Sequence, residues 1–248
     1  MRLYFIALQF LTIIPLPFRV RCEEKDLGRS MAFFPLVGLT LGFLLVGLNF
    51  VLVPWLPRPV VDLLLITVLS MVTGALHLDG LADVFDGLAA RGSRERFLGV
   101  MKDSHIGAVG VVALMLGLLL KYQALVHIPV AVKPEVLLFF PLVARFAQVQ
   151  VTVGAKQARS DGLGTLFIGG VGIVQFVVAY AITLAAAYFL LGLTGIYCCI
   201  ILFLVTWSLK RWSHRRLGGI TGDIIGCFSE LNEIVCLLTL LALLGKNS

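Results

Sequence analysis

Asp79, Asp83 and Asp86 stand at i, i+4 and i+7 in the segment HLDGLADVFDGLAARGSRERFLGVMKDSHIG, residues 77–107. On a helix turning about 100° per residue they fall within roughly 60° of one another. Carboxylates crowded on one face repel. A solvated acidic face would carry the same pattern, but these three directly follow an apolar run in a chain only 14% charged. Ionisable groups at a membrane boundary are costly and tend to be functional. A divalent cation relieves the repulsion, and oxygen-only donors suit Mg²⁺ or Mn²⁺, which bridge to substrate phosphates. Asp79, Asp83, Asp86 and the later Asp103 are the expected ligands, with Mg²⁺ the expected ion.

A second segment, residues 210–233, reads KRWSHRRLGGITGDIIGCFSELNE. Its glycines let backbone approach an anion, and successive N–H groups can form a nest. Gly218, Gly219, Thr221 and Gly222 are therefore candidate phosphate binders, although a flexible basic loop would look similar. Asp223 and Glu230, i and i+7, add carboxylates. Asp223 is expected to complete the site or hold an attacking alcohol, and Glu230 to stand behind it as a further metal ligand. Lys102, Arg91 and Arg145 are candidates to neutralise phosphates. For Arg91 and Arg145, snorkelling or helix pairing stands beside that role. Asp103, His105 and Asp223 are candidate bases, His105 because imidazole titrates near neutrality; a loop-orienting histidine is the other option there. His77 is either a partner of Asp79 or a boundary residue.

The elements that hold these residues follow from composition. The 248 residues are 59% hydrophobic with a mean hydropathy of +1.01, against about half apolar and a quarter charged for a soluble domain. A chain of this size cannot bury so much apolar surface from water, and disorder requires low hydrophobicity. The net charge of +6 does not point to nucleic acid, because the basic residues form short clusters between apolar runs. The five cysteines have no zinc-ligand spacing. The expected fold is all-α: one domain over 1–248, a polytopic membrane bundle of about six to seven transmembrane helices. Charge-poor stretches predict spans at 31–56, 60–78, 106–126, 135–153, 171–191, 195–209 and 230–245. Residues 162–209 lack charge over 48 positions, enough for two spans of about 20 residues, with a turn near Gly192–Gly195. The last helix is expected to begin near Ile224. Residues 1–30 form an interfacial or re-entrant segment, its apolar run carrying Pro15 and Pro17. Fourteen Lys/Arg then share one face, against Arg58, Lys121, Lys133 and Lys246 on the other, which assigns the fourteen to the cytoplasm. The active-site segments 79–105 and 210–230 lie on that face.

Two resemblances sharpen this. Asp83, Asp86, Gly87, Ala90 and Arg91, followed by Gly99 and Asp103, resemble the D-x-x-D-G-x-x-A-R…G-x-x-x-D-x-x-x-D signature of the CDP-alcohol phosphotransferases. Those membrane enzymes hold two divalent ions on carboxylates of neighbouring helices. Here the final aspartate, their general base, falls on Gly107, and the spacing before Gly99 is one residue short. Across the whole chain the sequence is similar to the cobalamin synthase family, in FLTIIPLP (10–17), FFPLVG (33–38), GALHLDGLADVFDGLAA (74–90), MKDSHIGAVG (101–110), ARSDGLG (158–164, with Asp161) and LGGITGDIIG (217–226). His105 stands where that family often has arginine. The resemblance implies a cell-membrane transferase that needs Mg²⁺. It would join adenosylcobinamide-GDP to α-ribazole or its 5′-phosphate and release GMP. The partners expected are these small molecules and membrane lipid, without nucleic acid, and a homo-oligomer is left open. The alternatives are a lipid-making CDP-alcohol phosphotransferase and a metal or corrinoid transporter. The transporter is disfavoured because the acids cluster at one membrane face.

Overall fold

The structure, a computed structural model, describes residues 1–159, 162 and 164–245. Asp161 and Lys246 lie outside the described residues. The helices are α1 (Arg2–Leu11), α2 (Glu24–Ser30), α3 (Phe34–Leu52), α4 (Arg58–Val72), α5 (Leu76–Ala89), α6 (Arg94–Val100), α7 (Ala108–His127), α8 (Lys133–Thr152), α9 (Gly164–Gly170), α10 (Ile173–Leu217) and α11 (Gly222–Leu244). Among the described residues there is no strand, only one parallel bridge between Gln157 and Ile220.

The protein is an all-helical membrane protein. Four helical stretches are long and apolar enough to cross a bilayer: Glu24–Leu52, Ala108–His127, Ile173–Leu217 and Gly222–Leu244. The pair α4 and α5, bent by 88°, makes a fifth if it counts as one span. Each of the seven expected spans falls on a helix, and α11 begins at Gly222, two residues before the expected start. Large apolar side chains such as Phe43, Phe50, Met115, Leu119, Phe189 and Leu204 are exposed on the outer faces of α3, α7 and α10, as lipid contact requires.

Helix α8 is the centre of the bundle. Almost every side chain from Val136 to Thr152 is buried, against α3, α10 and α11. Gly42 of α3 lets the two backbones meet, since a Cβ there would lie 2.6 Å from the Leu138 Cα.

Helix α10 is a hairpin. As one straight rod it would place Tyr180 and Phe203 about 35 Å apart, yet their rings lie 6.3 Å apart. The reversal occurs at Gly192, with φ 57° and ψ −136°, which side chains with a Cβ rarely adopt. The arms are residues 173–191 and 193–217.

Two charges lie elsewhere than expected. Lys121 and Lys133, counted with the far-face loops, are buried, Lys121 within α7 at 3% exposure and Lys133 at the first residue of α8 at 1%.

Replacing Gly192 with valine is expected to destabilise the hairpin by about 1–3 kcal/mol. Thermal unfolding of purified protein in detergent should show a lowered midpoint, while Leu193→Val, at a 66% exposed position, leaves it in place. An unchanged Gly192→Val midpoint would contradict the hairpin geometry.

Candidate active site

The site begins with a break in the chain. Gly74 (φ 60°) and Ala75 (φ 55°) are both left-handed, and the backbone turns there from α4 into α5. An alanine held in that conformation is strained, as residues near functional sites often are. Helix α5 then runs antiparallel along α11 at very short range. A Cβ on Gly80 would sit 2.5 Å from the Asp223 carbonyl oxygen, and one on Gly226 would sit 3.2 Å from the His77 Cα. Asp79 occupies the first turn of α5 and Asp223 the first turn of α11, where helix dipoles favour negative charge. Thr221 caps α11, its Oγ1 accepting from the Ile224 N–H at 3.3 Å.

This approach concentrates acids that lie 140 residues apart in sequence. The negative charges of Asp79, Asp223 and Asp86 all bear on Asp83, and Arg159 opposes them. Arg159 Nη2 donates to Asp223 Oδ2 at 3.0 Å. Among the described residues no three His, Cys, Asp or Glu side chains form a closed metal-holding group. The donor set still fits Mg²⁺, which usually takes one or two carboxylates and completes its shell with substrate phosphates and water.

Asp86 has a further duty. Its Oδ2 accepts from the Gly107 N–H at 2.7 Å and its Oδ1 from the Gly110 N–H at 2.8 Å, so it caps α7. A Cβ on Gly107 would collide with that carboxylate. The glycine found where the CDP-alcohol signature has its last aspartate thus leaves room for the Asp86 carboxylate to reach the Gly107 and Gly110 N–H groups.

Other expected site residues are placed differently. Glu230, expected as a metal ligand, is buried and accepts from Lys121 Nζ. Arg145, expected to meet phosphate, is 1% exposed and donates to Glu233, which also accepts from Lys121 at 2.5 Å. These four charges neutralise one another inside the bundle. Asp103 and His105 pair in the exposed α6–α7 loop, Nδ1 to Oδ1 at 2.6 Å. The His105 ring and its backbone N–H hold the Asp103 carboxyl below the usual carboxylate range. Lys102 and Arg91 are exposed. Of the proposed phosphate binders, Gly218 (φ 75°) ends α10 and Thr221 is the cap. Gly219 is pressed against the Lys156–Gln157 backbone, where Ile220 N–H donates to Lys156 O and Ala158 N–H to Ile220 O, each at 2.9 Å. Gly222 alone of the four lines the cavity described next.

That cavity, of about 230 Å³, opens beside the acids. Asp79, Asp223 and Arg159 form its polar end, and Phe10, Phe34 and Phe167 wall its apolar part. Arg159 and the three phenylalanines were not singled out from the sequence. The quoted motifs ARSDGLG, FLTIIPLP and FFPLVG were the available signals for Arg159, Phe10 and Phe34; Phe167, in an apolar run outside them, gives none.

A family model described as cobalamin-5-phosphate synthase matches residues 3–241. An adenosylcobinamide-GDP ribazoletransferase of Geotalea daltonii is 66% identical over 246 residues, covering 99% of each chain. Proteins of the same name from Klebsiella pneumoniae subsp. pneumoniae and Thermoanaerobacter pseudethanolicus are 38% and 34% identical. They cover 96% and 94% of this chain, and 98% and 94% of their own lengths. No solved structure matches the chain.

Removing one partner from a buried ion-pair network leaves an uncompensated charge, at a cost of about 3–5 kcal/mol. Lys121→Met should therefore lower the unfolding midpoint sharply, and Glu230→Gln less so, because Lys121 keeps Glu233. Equal midpoints for wild type and Lys121→Met, read by thermal unfolding in detergent, would contradict the pairing.

Proposed function

The chain belongs to the cobalamin-5-phosphate synthase family, and from that membership we propose that it is an adenosylcobinamide-GDP ribazoletransferase. It joins adenosylcobinamide-GDP to α-ribazole or its 5′-phosphate, releases GMP and completes the lower nucleotide loop of adenosylcobalamin. The observation that carries this reading into the structure is the gathering of Asp79 and Asp223 with Arg159 at the polar end of a cavity, with Asp83 close enough to feel both carboxylates.

In this mechanism a ribose hydroxyl attacks the cobinamide-linked phosphorus in line. The new P–O bond forms as the bond to the bridging oxygen breaks, and GMP carries that oxygen away. Such transfers need alignment and charge neutralisation more than covalent help. Asp223 faces the cavity and takes the hydroxyl proton, while Arg159 holds Asp223 in place and offsets pyrophosphate charge. Asp79 and Asp83 would hold Mg²⁺, with Asp86 contributing from its remaining lone pairs. When bound, the ion neutralises pyrophosphate oxygens and stabilises the departing phosphate. Asp103 and His105, exposed on the neighbouring loop, are available to GMP. We place the protein in the cytoplasmic membrane with this site facing the cytoplasm, on the strength of the basic residues that flank the site segments.

Purified protein with Mg²⁺ should release GMP from adenosylcobinamide-GDP only when α-ribazole is present. CMP release from a CDP-alcohol instead would overturn the assignment in favour of lipid synthesis. Asp83→Asn should lower the GMP-release rate by at least about a hundredfold with an unchanged unfolding midpoint. Full activity in that variant would remove the carboxylate site from the mechanism.

A further inference from the structure

The two substrates differ greatly in size and polarity, and the cavity discriminates between them. Its volume of about 230 Å³ is below the roughly 300–1,000 Å³ typical of sites for drug-sized ligands. It admits a group the size of a nucleoside base and sugar and excludes a corrin macrocycle. Its wall is aromatic: the Phe10 and Phe167 ring centroids lie 4.3 Å apart, and Phe34 is 5.9 Å from Phe167. Guanine would bring several N–H and C=O groups against phenylalanine, and unpaired buried polar groups are costly. The base of α-ribazole is a methylated benzimidazole, flat and apolar, with one bare ring nitrogen and no N–H.

A matching donor stands in the same lining. His77 is 3% exposed, and its Nδ1 has no hydrogen-bond partner. Gln148 Nε2 lies 3.0 Å from His77 Nε2 and 2.8 Å from Ser229 Oγ. With the Gln148 amide nitrogen assigned to this contact, His77 Nε2 accepts, and a neutral ring so engaged carries its proton on Nδ1. A buried N–H without an acceptor is unusual in native structures, and a ligand acceptor relieves it.

Resting on the transferase reading above, we propose that this cavity is the α-ribazole subsite. Phe10, Phe34 and Phe167 pack the benzimidazole, and His77 Nδ1–H donates to its bare ring nitrogen. The ribose is thereby turned toward Asp79 and Asp223. The corrinoid stays outside, presenting only its pyrophosphate at the polar end. His77 is a specificity-determining residue in this arrangement, and its signature is discrimination between acceptors.

The test is GMP release by the purified protein, with each substrate titrated against saturating amounts of the other. Wild type should show a KM about tenfold higher for the α-ribazole analogue whose bare ring nitrogen is replaced by C–H. His77→Leu should take both acceptors with similar KM. Phe10→Leu, at a half-buried position, should raise the KM for α-ribazole about tenfold and leave that for adenosylcobinamide-GDP within about twofold. Equal use of the two acceptors by wild type, or a Phe10→Leu defect confined to adenosylcobinamide-GDP, overturns the subsite while the transferase reading stands. Wild type that releases no GMP with either acceptor overturns the transferase reading and the subsite with it.

Discussion

Helices α5 and α11 approach so closely that a Cβ on Gly80 would strike the Asp223 carbonyl and one on Gly226 would crowd the His77 backbone. The site depends on that contact. It sets Asp79 and Asp83 of one helix beside Asp223 of the other, at two helix N-termini whose dipoles favour anions. It also leaves Asp83 facing three like charges. In a soluble protein such an acid patch would be screened by water and salt. Beside the apolar walls of a membrane bundle the repulsion persists until a cation or a substrate's positive partner answers it. The break at Gly74–Ala75 and the Thr221 cap serve the same end, since each fixes where one of the two helices starts.

The protein manages its few charges in two ways. At the mouth of the site, carboxylates gather in excess over Arg159. Deeper in the bundle, Lys121, Arg145, Glu230 and Glu233 form a neutral quartet, and near the opposite end Asp62 takes Arg58 at 2.6 Å and Lys133 at 2.9 Å. Burying a charge is tolerable only with a partner. Asp223 and Glu230 show the difference plainly: they share one face of α11, about 10 Å apart along the axis. The first opens onto the cavity and the second is consumed by Lys121.

Much of this was legible in the sequence where the signal is local. Apolar runs located the helices, the charge-free stretch located the Gly192 reversal, and the i, i+4, i+7 aspartates located the acidic face of α5. What was not legible is what long-range packing decides. Glu230 reads as a ligand until Lys121, 109 positions away, is seen against it. Arg145 reads as a phosphate contact until Glu233 takes its guanidinium. The glycines of 218–222 suggest an anion nest, yet two of them end α10 and seat its return on the 156–158 strand-like stretch. Arg159 and the phenylalanine wall acquire roles only from their neighbours in space.

We propose that the α5–α11 acids form an incomplete divalent-cation site that the pyrophosphate of the substrate completes. Titrating Mn²⁺ into the purified protein and counting bound ion by electron paramagnetic resonance, with and without adenosylcobinamide-GDP, tests it most directly. Weak binding is expected for the protein alone, binding at least about tenfold tighter with the substrate present, and loss of that gain in Asp83→Asn. Tight binding without substrate, or a substrate-dependent gain that survives Asp83→Asn, would contradict it.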